Sequence, residues 1–288
     1  MNVTGSILKP GFAATSTLLL TGGLLLAGPG AAAAEVPADA PEGPDCSVDK
    51  CIALTFDDGP GEYTDLLLDT LSEHEAAATF YVLGSKVADN TETLQRMSAE
   101  GHEIGNHTWD HPDLTELTPQ EIETELQRTD QAITQATGDE PGTVRPPYGA
   151  LDQTVRQSVD QPMLLWDVDT RDWESLDSTE VTDVAVQEAA EGSVLLFHDI
   201  HASTVEAIPD VLQELKKDGY EFVTVEQLFD AHSMEPGSVH SNAREPYTEA
   251  PAPQTEEPAP RTEAPAPYAE DTAPNLQEPR PEAEKPLW

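Results

Sequence analysis

Ile52-Ala53-Leu54-Thr55-Phe56-Asp57-Asp58-Gly59-Pro60 is a short, mostly apolar run that stops at two carboxylates and a turn. Its length and bulk predict a buried strand, and the Gly-Pro pair that follows predicts a sharp reversal. Downstream, residues 64–74 carry Leu67, Leu68 and Leu71 at helical spacing, and residues 79–82 read as a second strand. A helix over 91–100 and a short strand over 103–106 follow. Thr118 and Pro119 cap and open a helix through 135, with Glu121 at the capping-box position. Beyond a turn at Pro146-Pro147-Tyr148-Gly149, strands are predicted over 162–168 and 193–197, with a helix over 181–190 between them. A helix over 205–217 stops at Gly219, before a last strand at Phe222-Val223. Strand and helix in repeated alternation predict a parallel α/β fold, with one domain from about residue 45 to 231.

In such folds chemistry gathers on loops after the C-terminal strand ends. Asp57-Asp58, His107, Arg145, Asp169 to Asp172 and His198 each follow a predicted strand. His107-Thr108-Trp109-Asp110-His111 puts two imidazoles four residues apart, on one face if the segment is helical. Two histidines and one carboxylate leave an open position for water on Zn2+, and Asp58 is the natural third ligand. Its neighbour Asp57 is then free to act as a base. His74 and His102 fall at helix ends, and His232 and His240 at or beyond the domain edge. His201 could line the cleft without being required there.

The two ends differ from the middle. Residues 1–34 hold no acid, one Lys, an apolar stretch from Phe12 to Leu26 and a run of alanines ending at Ala34, the pattern of a cleaved secretory leader. Thr15, Ser16, Thr17 and Thr21 interrupt the stretch, which argues against a membrane-spanning helix. Residues 235–288 have 11 acidic and 4 basic residues and dense proline, which predicts a disordered acidic tail. As a wall-threading spacer or a tail without a partner, composition leaves it open.

The chain of 288 residues carries a formal charge of −41, and residues 35–234 alone have 44 acids against 9 bases. Nucleic acid is thereby excluded as a partner, and anionic membrane surfaces are disfavoured. Self-repulsion on this scale weakens a compact state, and the screening length falls from about 30 Å at 0.01 M salt to about 3 Å at 1 M. The melting temperature is therefore expected to rise from dilute buffer to molar NaCl, with KCl acting alike. A melting temperature flat across that range would leave solubility as the role of the acidic surface. Cys46 and Cys51 are the only cysteines, and in an exported chain they predict a disulfide.

Five segments occur in order: Thr55 to Pro60, His107-Thr108 with His111, Arg145-Pro146-Pro147-Tyr148-Gly149, Asp169-Thr170-Arg171-Asp172-Trp173, and Leu196-Phe197-His198-Asp199. Together they resemble the five motifs of the NodB-homology polysaccharide deacetylases, carbohydrate esterase family 4, over about residues 51–229. The resemblance implies a distorted (β/α) barrel and a metal-dependent hydrolysis of acetyl groups on sugars. It implies Asp57 as general base, and Asp58, His107 and His111 as ligands of a divalent metal, zinc by default with cobalt possible. Tyr148 would offer its main-chain N–H to the oxyanion, and Arg145 would hold Asp57. Asp169 would tune the general acid His198, and Trp173 and Leu196 would wall the acetyl methyl group. The expected protein is a secreted or wall-associated monomer acting on a polysaccharide, peptidoglycan N-acetylglucosamine before chitin or acetylated xylan. A catalytically idle wall-binding protein on the same scaffold is the alternative.

Overall fold

The computed structural model describes residues 43–229 and 234–244. The expected leader, and the tail beyond Arg244, lie outside the described residues. In chain order the elements are β1 (Lys50–Asp57), α1 (Thr64–Glu73), β2 (Thr79–Val82), α2 (Gly84–Val87), α3 (Thr91–Ala99) and β3 (Glu103–Asn106). Then come α4 (Pro119–Thr137), α5 (Gln153–Ser158), β4 (Met163–Leu164), β5 (Val168–Asp169), α6 (Asp172–Ser175) and α7 (Ser178–Glu188). The series closes with β6 (Val194–His198), α8 (Ala202–Lys217), β7 (Tyr220–Phe222), α9 (Val225–Phe229) and β8 (Val239–His240). The Cys46–Cys51 disulfide ties the turn ahead of β1 to the second residue of that strand.

The main sheet runs β3-β2-β1-β6-β5, with β7 beside the start of β1, and these strand pairs are all parallel. Val144 bridges β3 to β4, and β4 pairs with β8, so the sheet curls into a distorted barrel. Strand β1 is central and buried on both faces, which explains its nearly unbroken apolar sequence. Ile52, Leu54 and Phe56 pack with Leu67, Leu68 and Leu71 of α1 and with Ile208, Val211 and Leu212 of α8. Ala53 turns the other way, toward Tyr81, Leu164 and Val194. Each fully buried Leu or Phe contributes roughly 1.5–3 kcal/mol.

The register places the chemistry. Phe56 lies level with Phe80 and Phe197 on its two neighbours, and the three rings stack at 5.3 and 5.4 Å. One residue on, Asp57 lies level with Tyr81 and His198. Side chains alternate across a strand, so the phenylalanines seal the core and the next row turns toward the mouth.

The helices keep most of their expected signals. Thr118 and Glu121 form a reciprocal capping box on α4, whose end is set by Gly138 at φ 91°. Helix α7 starts earlier than predicted because Asp177 accepts from the N–H groups of Thr179 and Glu180.

Two expectations change. The strand predicted over 162–168 is two short pieces, since Arg145 draws the carbonyls of Leu164 and Leu165 toward its guanidinium at 3.0 Å each. The fold also runs past residue 231, into the segment read as tail. The N–H of Leu165 donates to His240 O at 2.7 Å, and that of Ala243 to Gly192 O at 2.8 Å. Arg244 then bonds Asp167, Ser193 Oγ (2.8 Å) and Glu191 O (2.9 Å). Composition could not show this, because the anchoring is carried by main-chain groups and one arginine. Among the described residues no helix is long and apolar enough to cross a membrane.

Candidate metal and catalytic site

A cavity of about 460 Å3 opens at the C-terminal strand ends, lined by Asp57, Asp58, His107, His111, Tyr148, Trp166, Asp169, Trp173, Leu196, His198 and His201. All ten of the non-cysteine site residues expected from sequence are at or beside it, Arg145 lying just beneath. Five of the seven non-glycine residues with positive φ among the described residues sit in its loops: Asp58, Thr108, His111, Tyr148 and Arg171. Each such conformation costs roughly 1–3 kcal/mol and persists only where the surroundings fix it.

Asp58, His107 and His111 converge so that one ligand atom from each lies within 4.8 Å of the others. Asp58 Oδ1 is 3.5 Å from His107 Nε2 and 3.4 Å from His111 Nε2. That oxygen is buried and has no hydrogen-bond partner. Ligands about 2.1 Å from one tetrahedral cation stand about 3.4 Å apart, so the three atoms fit a shared divalent metal. His107 Nδ1 is 2.7 Å from Arg145 O; its N–H donates there, which turns the Nε2 lone pair toward Asp58. Burial and the neighbouring His107 hold the His111 imidazole below its ordinary pKa, against the pull of Asp58 and Asp57, which favours the neutral, ligating form. Lys86 Nζ donates to Asp58 O at 2.7 Å and fixes that turn.

The histidine pair is not on a helix. Residues 107–111 form a turn in which Thr108 N donates to Asn106 Oδ1 (2.8 Å) and His111 N to Thr108 Oγ1 (3.1 Å). Asn106 is itself pinned through its amide to Leu126 O and Asp130. Left-handed backbone at Thr108 and His111 folds the second imidazole back on the first, at a ring separation of 5.0 Å.

Asp57 is 3% exposed; its Oδ2 lies 3.6 Å from His107 Nε2, but it is not one of the three residues that converge. Arg145, fully buried, reaches Asp57 Oδ1 at 2.8 Å and Thr55 Oγ1 at 2.7 Å. Its remaining donors meet Leu164 O and Leu165 O, and its plane lies over Tyr81 at 4.2 Å. Four of the five guanidinium N–H groups are thus paired, and one Asp57 oxygen is left toward the cavity. Gly59 is required in the turn after the two carboxylates, because a Cβ there would collide with the buried Asp199 carboxylate.

The partner of His198 is Asp172, correcting the expected Asp169. His198 Nδ1 lies 2.8 Å from Asp172 Oδ1, while Asp172 Oδ2 accepts from the His198 N–H (2.6 Å) and from Thr204 Oγ1 (2.7 Å). Burial opposes the imidazolium, but the Asp172 hydrogen bond and charge, helped by Asp57 and Asp58, push His198 up to about 9. Asp169 instead accepts from Arg171 N at 2.9 Å. The register explains the difference. Asp169 lies level with Leu196, two residues short of His198, and the turn through Thr170 and Arg171 (φ 52°) brings Asp172 over the imidazole. An Asp-x-x-Asp pattern shows both carboxylates without telling which one the sheet aligns.

Trp173 and Tyr148 flank the mouth with exposures of 52% and 68%, and buried Leu196 forms part of the wall. Tyr148 occupies a tight turn over Pro147–Gly149, its ring 4.6 Å from His111. Trp166, which sequence reading did not single out, lines the cavity and lies 3.1 Å from where a Gly149 Cβ would be.

A family model described as polysaccharide deacetylase matches residues 45–162. The peptidoglycan-N-acetylglucosamine deacetylase PgdA of Listeria monocytogenes is 43% identical over 190 residues, 66% of this chain and 41% of that protein. The chain thus spans about two-fifths of the length of that relative. A solved structure described as T48 deacetylase with substrate is 49% identical, with a TM-score of 0.67, covering 69% of this chain and all of the other. A family 4 acetyl xylan esterase from Clostridium thermocellum, solved with a cobalt ion, is 30% identical with a TM-score of 0.65, covering 68% and 100%. Extending over all of the T48 protein at 49% identity, this likeness makes the chain a member of the polysaccharide deacetylase family, carbohydrate esterase family 4.

Proposed function

We propose that this protein is a secreted hydrolase that removes N-acetyl groups from cell-wall amino sugars, with peptidoglycan N-acetylglucosamine as the favoured substrate. The observation that carries the reading is the division of labour between two adjacent carboxylates. Asp58 Oδ1 lies near both His107 and His111, whereas Asp57 has one oxygen tied to Arg145 and the other near His107 alone, level with an imidazole raised to about 9. Asp58, His107 and His111 would hold a divalent ion, zinc or cobalt, which would supply Lewis acidity to the acetyl carbonyl and acidify water.

The chain's own groups do the rest. Asp57 accepts a proton from the attacking water, and Arg145 fixes the oxygen that is not used. The main-chain N–H of Tyr148 donates to the oxyanion as the carbonyl carbon becomes tetrahedral. His198, held at Nδ1 by Asp172, delivers the proton on Nε2 to the departing nitrogen, so the C–N bond breaks to give acetate and a free amine. Trp173 and Leu196 close around the methyl group. The leader over 1–34 and the PgdA likeness support export and a wall substrate. An idle binding protein would need no intact base, acid and ligand set together.

Acetate release from peptidoglycan, chito-oligosaccharide and acetylated xylan tests the reading. Removal of metal is expected to lower the rate by about 10²-fold or more, with recovery on adding Zn2+ or Co2+. Undiminished release after verified metal removal would sink the proposal, and a preference for xylan would replace the amide substrate by an ester.

A further inference from the structure

His201 lines the same cavity yet belongs to neither the ligand group, the base nor the acid. It occupies the position before α8, where Ser, Thr, Asp or Asn would bond the first turn, and its side chain makes no such bond. Its main-chain N–H donates to His198 O at 3.3 Å and its carbonyl accepts from Val205 N at 3.2 Å, so the backbone is fixed at both ends. The ring is half-buried, 6.2 Å from the His198 ring and inclined to it by 60°. Among the described residues no group hydrogen-bonds either of its ring nitrogens.

We propose that His201 is a specificity-determining residue that hydrogen-bonds an oxygen on the sugar carbon next to the one bearing the acetamido group. The assignment rests on the deacetylase reading above. His198 serves the nitrogen of the scissile amide, and the His201 ring, 6.2 Å from it in the same cavity, is within reach of what that nitrogen is attached to. In an amino sugar this is the pyranose ring, whose carbons on either side of the amine-bearing one carry oxygen. An imidazole in either protonation state has an N–H to give, and hydroxyl and ether oxygens accept. With its backbone fixed and no partner within the protein, the ring has both nitrogens free to meet such an oxygen in the cavity.

The test compares two acetyl donors: a chito-oligosaccharide, and an aryl acetate that has no sugar ring. In His201→Ala the ratio of kcat/KM for the oligosaccharide to that for the aryl acetate is expected to fall about tenfold, the size of one lost hydrogen bond, mostly through KM. His201→Gln, which keeps an N–H donor, should recover most of the ratio, and metal content should match wild type in both variants. An unchanged ratio, or equal losses on the two donors, would overturn the assignment and leave the deacetylase reading standing. Wild-type protein inert on both donors with metal supplied would overturn that reading, and this assignment with it.

Discussion

Asp57→Asn should bind metal nearly as wild type does and turn over at least about 10²-fold more slowly, because the group that takes the water proton is gone. His107→Ala should lose both metal and turnover, since it removes one of three ligand atoms and the contact to Arg145 O. The contrast follows from geometry. Asp57 has Oδ1 on Arg145 at 2.8 Å and Oδ2 near one imidazole, His107 at 3.6 Å, whereas Asp58 Oδ1 lies between both imidazoles. Asparagine at 57 still accepts one bond from Arg145 but leaves a buried guanidinium without its counter-charge, so the melting temperature should also fall. Metal titration by calorimetry beside acetate release separates the two variants. Equal losses of metal affinity would show that the neighbouring carboxylates have exchanged roles.

Asp172→Asn should move the alkaline limb of the pH–rate profile to lower pH by about one to three units, the usual reach of an adjacent opposite charge. In the wild type His198 stays protonated up to about 9, so the acid is present through neutrality and is lost as pH rises through that value. Without the Asp172 carboxylate, burial favours the neutral imidazole and only the smaller pull of Asp57 and Asp58 opposes it. The stability that the His198–Asp172 pair contributes follows the same direction, complete below the unfolded histidine value of about 6.5 and lost as pH rises through about 9. Asp169→Asn should leave the limb in place, because that carboxylate serves Arg171 N. Amides should suffer more than aryl acetates, whose leaving groups need no proton. A limb that moves with Asp169 and not with Asp172 would overturn the assignment.

The arrangement also joins stability to function through one buried cation. Arg145 ties Asp57 to the carbonyls of Leu164 and Leu165, and the second of these residues is tied in turn to His240. The segment after residue 234 therefore braces the strand pieces that hold the base's partner. This is why the folded region extends beyond the last predicted helix, even though its composition already resembles the tail.

The sequence by itself determined what short-range physics controls. The mostly apolar run of β1 predicted a buried strand, and Thr118, Pro119 and Glu121 predicted the start of a helix, as found. The motif order named the metal ligands, and the structure brings those three side chains together. Tertiary structure decided the rest, because the deciding contacts are distant in sequence. Strand register chose Asp172 over Asp169 for His198, since a carboxylate two residues out of line cannot reach the imidazole. Left-handed backbone at Thr108 and His111, paid for by Asn106 and its partners, gathered the histidine pair without a helix. Arg145 split a predicted strand by taking two of its carbonyls, a demand that arises only once the guanidinium is buried beneath the site.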